Sequence, residues 1–331
     1  MIKILQIRET PMSKGAGIDS NCQGLISLFN GDPEIEMLPT IDYTKHKFKA
    51  IRQYWLDKKE ICDSIRKYNP DIVHVHGACS LTLPVAVNCA KRMGKPVVLS
   101  SHFHPFYSLR NPFLGKMFFL LITRHVLKKV KLLFTINNED TSLMTKYHNN
   151  VVKLPHWSRF KDDNQNVVKK ERMILFVGRL TDTNKGFEHL YHLPEGKYEI
   201  HCVGKGDITL RSDMIKHTNI SEEELKKLYQ EASLLVVPSR YEAFSYVTIE
   251  ALMCNTPVVL SDRVRIADYL SGIKGYTVFK YQDYNAFTDA VEKTIGKSVE
   301  TEKVARVFDP ESIKQVYKKS YCSVVTPKEK N

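Results

Sequence analysis

Several features are missing from this chain of 331 residues, and each absence removes a class of protein. Its longest apolar runs, such as Met117–Ile122, fall well short of the roughly 20 residues that cross a bilayer. The opening MIKILQI has no separate basic, apolar and small-residue regions. It reads as a first strand, not a secretion signal, so a cytoplasmic location is expected. The seven cysteines, Cys22, Cys62, Cys79, Cys89, Cys202, Cys254 and Cys322, are scattered and never form a CxxC pair. That spacing speaks against a disulfide framework or a structural zinc site, and for reduced, mostly buried thiols. There is no internal repeat and no low-complexity tract.

What remains is an ordinary globular composition, 43% hydrophobic and 26% charged. The length exceeds what one core usually organises, so two domains are expected. The net charge of +12 is unevenly placed. Residues 1–155 hold 22 Lys and Arg against 12 Asp and Glu, whereas the remainder holds 27 against 25. A basic first half suits an anionic partner: a phospholipid surface, a diphosphate-linked lipid or nucleic acid. Charge spread for solubility is the plain alternative.

Patterning supplies the fold class. In the first half, strand-like runs at 2–7, 71–75, 96–100 and 132–136 alternate with helix-like stretches at 15–29, 81–92, 114–129 and 139–147. Such alternation predicts an α/β domain with a parallel sheet covered on both faces. Residues 158–171 are polar, charged and without periodicity, which predicts a linker. The alternation then restarts. Strands are expected at 173–177, 198–203, 234–237, 257–260 and 276–279, with helices at 186–193, 222–232, 245–254, 285–295 and 310–321. Ser221 and Glu224 form a capping-box pattern before the second of these helices. The expected organisation is a Rossmann-like domain at 1–157, the linker at 158–171, a second Rossmann-like domain at 172–305, and a helix and tail at 306–331 that pack back toward the first. Two doubly wound sheets facing each other would leave a cleft at the carboxyl ends of their strands, where ligands bind.

The segment Leu234–Asp262 carries the most chemistry. It reads strand, loop, helix, turn, strand, with Glu242 in the loop and Glu250 inside an apolar helix. A carboxylate buried there alone would cost several kcal/mol, so Glu250 either pairs or awaits a ligand. The amides of Ala243, Phe244 and Ser245 open the helix, and a helix N-terminus offers N–H groups and a positive dipole end to a phosphate. Two hydroxyl-accepting carboxylates around an anion site suit a sugar diphosphate.

Within this segment Pro238, Ser239, Glu242, Ala243, Phe244, Glu250, Ala251, Pro257, Val258 and Val259 resemble the donor-binding signature of retaining, family-4-type glycosyltransferases of the GT-B fold, the glycosyl transferases of group 1. The resemblance implies that Glu242 meets the donor sugar and Glu250 the ribose hydroxyls. Phe176–Gly186, FVGRLTDTNKG, resembles the family's element whose Arg and Lys grip the donor diphosphate, here Arg179 and Lys185. An Arg fork beside a Lys point charge is sound phosphate chemistry. Cys202–Asp207, CVGKGD, resembles the next element, so Gly204 would let backbone approach the nucleotide, and His217 stands where the family holds the base. In the first half Lys14–Gly17 follows the first strand, and the resemblance places Gly15 and Gly17 at the donor phosphate. Val97–His102, VVLSSH, resembles the strand that ends in the active-site histidine, a role carried to His102, with His104 as neighbouring competitor.

The resemblance runs in order through nearly the whole chain and is specific in residues 173–262. There are departures. Ala243, Ser245 and Asn255 stand where the family commonly has glycine (or, at 245, proline), and Leu154–Phe160 lacks the usual Asn-Gly after its proline. Plainer readings compete: a surface Glu242, a salt-bridged Glu250, solvated charges at Arg179 and Lys185, a satisfied strand-end His102. His74 and His76 share one face of a strand, and without a carboxylate cluster beside them buried histidines outweigh a metal site. No Asp-x-Asp occurs, so no metal and no other cofactor is expected beyond the nucleotide-sugar co-substrate. Phe113–Lys131, apolar with a basic end, fits a sheet-covering helix or one lying on a membrane.

The resemblance implies transfer, with retention, of a hexose or N-acetylhexosamine from a UDP-linked donor to a hydroxyl of a saccharide or lipid-linked saccharide. The expected setting is surface polysaccharide or glycolipid assembly, peripheral on the inner face of the cytoplasmic membrane. Nucleic acid is not among the expected partners. Two alternatives stand beside this reading: a nucleotide-sugar epimerase on the same fold, and a non-catalytic module for anionic lipid.

Overall fold

The structure, a computed structural model, describes residues 1–8, 17–42, 50–78, 82–102, 112–160 and 167–325. The chain divides into two compact units, 1–156 with 310–331, and 157–309.

Among the described residues the first unit holds seven strands: β1 (Ile2–Arg8), β2 (Ile35–Met37), β3 (Ile41–Asp42), β4 (Ile72–His76), β5 (Val97–Ser100), β6 (Leu132–Thr135) and β7 (Val151–Lys153). Their order is β2-β1-β4-β5-β6-β7, with β3 pairing farther along β1. All pairs are parallel, which demands apolar strands covered on both faces. One face, from Leu5, Ile7, Val73, Val75 and Leu99, packs under Ile61 and Ile65 of the helix Ala50–Tyr68, Leu83 and Val87 of Thr82–Arg92, and Phe119 and Leu127. On the other face, Tyr321 from the helix Pro310–Val325 packs against His74 of β4, and Tyr317 against Phe134 of β6. That helix is also tied to the start of the chain by Lys314, whose Nζ lies 3.0 Å from the buried carboxylate of Asp32.

The second unit holds β8 (Lys170–Val177), β9 (Glu199–Val203), β10 (Met214–His217), β11 (Ala232–Val237), β12 (Val258–Ser261) and β13 (Tyr276–Phe279), ordered β10-β9-β8-β11-β12-β13 and parallel throughout. Both sheets are therefore doubly wound. Strand order reverses between β1 and β4 in the first, and between β8 and β11 in the second. Ligands gather at such reversals, outside the carboxyl ends of the strands.

Several expectations need correction. Cys62 and Cys89 form a disulfide, against the reading of reduced thiols. The helices Ala50–Tyr68 and Thr82–Arg92 pack side by side and bring the two Cα atoms to 5.4 Å, a juxtaposition that spacing in the sequence does not encode. The stretch expected as a helix at 186–193 is instead a 3₁₀ turn, Phe187–His192, which Gly186 at φ 68° separates from an earlier one, Thr183–Lys185. The stretch at 114–129 contains a π turn, Phe119–Thr123. β8 starts at Lys170, inside the stretch read as linker. Strands β2, β3, β7 and β10 and the helix Ala50–Tyr68 lack apolar runs long enough to announce them.

Candidate functional site

In the second unit the polar groups at the reversal come from the loops after β8 and β11. Lys185 follows β8, Glu242 follows β11, and the Lys185 Nζ lies 2.8 Å from Oε1 of Glu242. The same oxygen accepts from the Ser239 hydroxyl at 2.7 Å, and Ser261 Oγ donates to the Ser239 carbonyl at 2.5 Å. Backbone fixes the frame. Arg240 N donates to Asn184 O at 2.8 Å, the Asn184 side chain donates from Nδ2 to Tyr241 O at 2.9 Å, and Glu242 exchanges backbone bonds with Arg263 and Arg265. Gly186 makes this approach possible: a Cβ there would stand 2.0 Å from the Pro238 carbonyl oxygen, and its φ of 68° is left-handed. Arg179 is more than half exposed and pairs with Asp182 at 2.6 Å, while Asp182 also caps the turn that carries Lys185.

Gly204 ends the next strand at φ 155°, and a Cβ on it would meet the Gly178 carbonyl oxygen at 1.8 Å. Its close approach in this structure is thus to the neighbouring loop's backbone. Its N–H donates to the carbonyl of His217, the last residue of β10. The His217 ring Nε2 lies 2.9 Å from His201 Nδ1, and burial lowers its pKa. Ser245 is the N-cap of the helix Tyr246–Met253, and its hydroxyl makes no capping bond to the backbone; it accepts from Thr248 at 2.8 Å. Ala243 is buried, and the Phe244 ring packs among Tyr246, Tyr269 and Phe308.

Glu250 forms a separate centre in that helix. It is 3% exposed and paired: Arg159 Nε lies 2.7 Å from Oε1, and the Tyr229 hydroxyl donates to Oε2 at 3.0 Å. Burial raises the Glu250 pKa against the opposing pull of Arg159 and Tyr229. Burial alone would lower that of Arg159, but Glu250 more than offsets it and the net shift is upward. Arg159 also reaches Glu222 at 2.5 Å. Sequence reasoning missed Arg159 and Tyr229. Arg159 lies in the segment read as linker, and only the need of Glu250 for a partner signalled it.

In the first unit four imidazoles cluster, His74 and His76 on β4, His102 just past β5, and His156. His76 Nδ1 and His102 Nε2 share a hydrogen bond of 2.8 Å. His102 stacks on His156, with centroids 5.6 Å apart, and Asn21 Nδ2 donates to His156 Nδ1 at 2.8 Å. His74 bonds Ser100 Oγ at 2.8 Å and the Tyr321 hydroxyl at 3.0 Å. Burial pulls the pKa of His74 and of His102 down to about 3, and lowers His76 and His156 well below the ordinary range. All four rings are neutral at pH 7. His102 itself holds a left-handed φ of 56°, a strained conformation for a residue with a Cβ. Among the described residues no group of three or more His, Cys, Asp or Glu side chains is arranged to hold a metal. Gly17 opens the helix Gly17–Leu28, whereas Gly15 and His104 lie outside the described residues.

The structure thus brings Lys185 and Glu242 together, with Gly204 and His217 joined by backbone beside the same strand ends. It places Glu250 in its own ion pair and His102 in the first unit.

Comparison with known proteins agrees with this fold. The family described as Glycosyl transferases group 1 matches residues 171–297, and Glycosyltransferase Family 4 matches residues 30–154. An uncharacterized glycosyltransferase of Methanocaldococcus jannaschii is 37% identical over 107 residues, 28% of this chain and 27% of that protein. A 41.2 kDa protein in the cps region of Klebsiella pneumoniae is 28% identical over 145 residues, 40% of each chain. The matched segments therefore span less than half the length of these relatives. Among solved structures, Anabaena HepE in complex with UDP and glucose superposes with a TM-score of 0.74 at 14% identity, covering 98% of this chain and 100% of that one.

Proposed function

This chain belongs to the group 1, family 4 glycosyltransferases of GT-B fold, and on that premise we propose that it moves a hexose or N-acetylhexosamine from a UDP-linked donor to a hydroxyl of a saccharide or lipid-linked saccharide, with retention of configuration. The setting we propose is surface polysaccharide or glycolipid assembly, with an anionic membrane surface as a further partner of the first unit. The observation that carries the reading is the Lys185–Glu242 pair across the strand-order reversal of the second sheet. A carboxylate held by a lysine and a serine is fixed in place to accept sugar hydroxyls. The lysine, with Arg179, offers positive charge where a diphosphate leaves. A UDP complex of a structural neighbour with the same fold is in keeping with that donor class.

In the proposed reaction the bond from the anomeric carbon to the diphosphate oxygen breaks, and a bond to the acceptor oxygen forms. The acceptor's proton passes to the departing phosphate. Arg179 and Lys185 meet the growing charge, helped by the amides at 243–245, and no metal is needed for that task. Glu242 orients the sugar, Glu250 exchanges its Arg159 contact for the ribose hydroxyls, and neutral His102 hydrogen-bonds the sugar. The glycines at 15 and 17 approach the donor phosphate, and Gly204 with His217 lies by the base.

The test is Glu242→Gln and Arg179→Ala, assayed with UDP-, GDP- and ADP-sugars. Each should lower transfer at least a thousandfold at an unchanged melting temperature. A UDP-sugar at about 100 times its Kd should raise the stability of the unaltered protein by about 2.7 kcal/mol. Full activity in either variant refutes the assignment.

A further inference from the structure

We propose that the outward face of the helical run 112–127 in the first unit docks on an anionic lipid bilayer. The run is built from the helix Pro112–Phe118, the π turn Phe119–Thr123 and the helix Arg124–Leu127. Phe119, Thr123, Val126 and Leu127 point into the unit and are buried. Phe113, Leu114, Met117 and Leu121 do not: they are 67%, 57%, 40% and 63% exposed. The inward and outward sets each repeat about every four residues, so an apolar sequence is split into one face that the core takes and one that it leaves.

Charge says what covers the second face. From residue 72 to residue 138 there is no Asp or Glu, against nine Lys and Arg. Lys116 lies among the exposed apolar residues, and Arg124, Lys128, Lys129 and Lys131 follow directly, all but the half-buried Arg124 exposed. Lys129 reaches back to Asn88, beside the exposed Lys91 and Arg92 on the neighbouring helix. An apolar stripe rimmed by cations is how a helix lies in the headgroup plane of an anionic membrane. A nucleic acid would meet the cations and leave four apolar side chains wet. A second copy would press one basic face against another. A bilayer answers both features.

This inference deepens the partner reading above, and it is tested without any sugar nucleotide, so its failure leaves the transfer reading standing. The full chain is sedimented with phosphatidylcholine vesicles, with and without about 30% phosphatidylglycerol. Binding should be at least tenfold stronger to the anionic vesicles and weaken with salt. Met117→Glu with Leu121→Glu, at exposed positions, should lower it at least tenfold at an unchanged melting temperature. Lys128→Glu with Lys129→Glu should lower it as well and flatten its salt dependence. The proposal fails if anionic vesicles are not bound. It fails if the apolar double variant binds like the parent, which would mark a polynucleotide-type electrostatic surface. It also fails if that variant converts a lipid-free dimer into a monomer.

Discussion

Both sheets reverse their strand order once and set polar side chains at the reversal, but the second unit places ions there and the first places neutral rings. Lys185–Glu242 at the reversal and Arg159–Glu250 at the helix after β11 keep formal charges in place through their partners. His74, His76, His102 and His156 are held uncharged by burial and by one another. Fixed ions suit a charged ligand and neutral donors and acceptors an uncharged one, in keeping with the roles proposed above for the two units.

Acid should break the symmetry most. The histidines of the first unit have depressed folded pKa values, so the stability they contribute is fully present above the unfolded value of about 6.5 and is lost as pH falls toward about 3. A ring held neutral loses about 1.4 kcal/mol per pH unit in that window, so the three enclosed rings His74, His76 and His156 together set a ceiling of about 4 kcal/mol per pH unit. Glu250 works in the opposite sense. Its raised pKa means that its contribution is present below the unfolded value and is lost as pH rises through the folded one. Calorimetry between about pH 7.5 and 5 should show the first unit's transition moving down further than the second's, where only the partly buried His189 and His217 shift in the same sense. Parallel movement of both would remove the contrast.

A smaller effect isolates the second unit. Arg159→Met leaves Glu250 buried with Tyr229 alone. Breaking a fully buried pair costs about 3–5 kcal/mol, and because Arg159 is half exposed we expect about 2. Urea unfolding measures it, and Arg159→Met with Glu250→Gln should recover most of the loss. The smallest effect isolates the first. His76→Phe keeps an aromatic ring but removes the partner of His102 Nε2. Transfer should fall about tenfold, in kcat more than KM, because His76 acts by positioning. Unchanged kcat would mean that His102 needs no such support.

The architecture was legible because strand and helix alternate in both halves and because a parallel sheet demands continuous apolar runs such as Leu234–Val237. Residues 57 apart, Lys185 and Glu242, meet because their loops leave adjacent strands at the reversal, which the order of elements already contains. That Glu250 requires a partner was readable from its apolar surroundings. That the partner is Arg159 was not, because a charged, aperiodic segment gives no sign of where its side chains reach. The Cys62–Cys89 bond and the short strands β2, β3, β7 and β10 escaped for a related reason. Packing of one element on another decides them, and no local pattern records it.

The first unit is discontinuous: Tyr321 reaches His74 across 247 residues of chain. During synthesis, β4 leaves the ribosome well before the helix that covers it. At about 5–20 residues per second the interval is roughly 10–50 s. In that time the histidine face has no cover from its own chain, while residues 157–309 can already collapse as a contiguous piece. The later-made unit is therefore positioned to fold first, and the earlier-made one waits, open to chaperones, for the last helix to arrive.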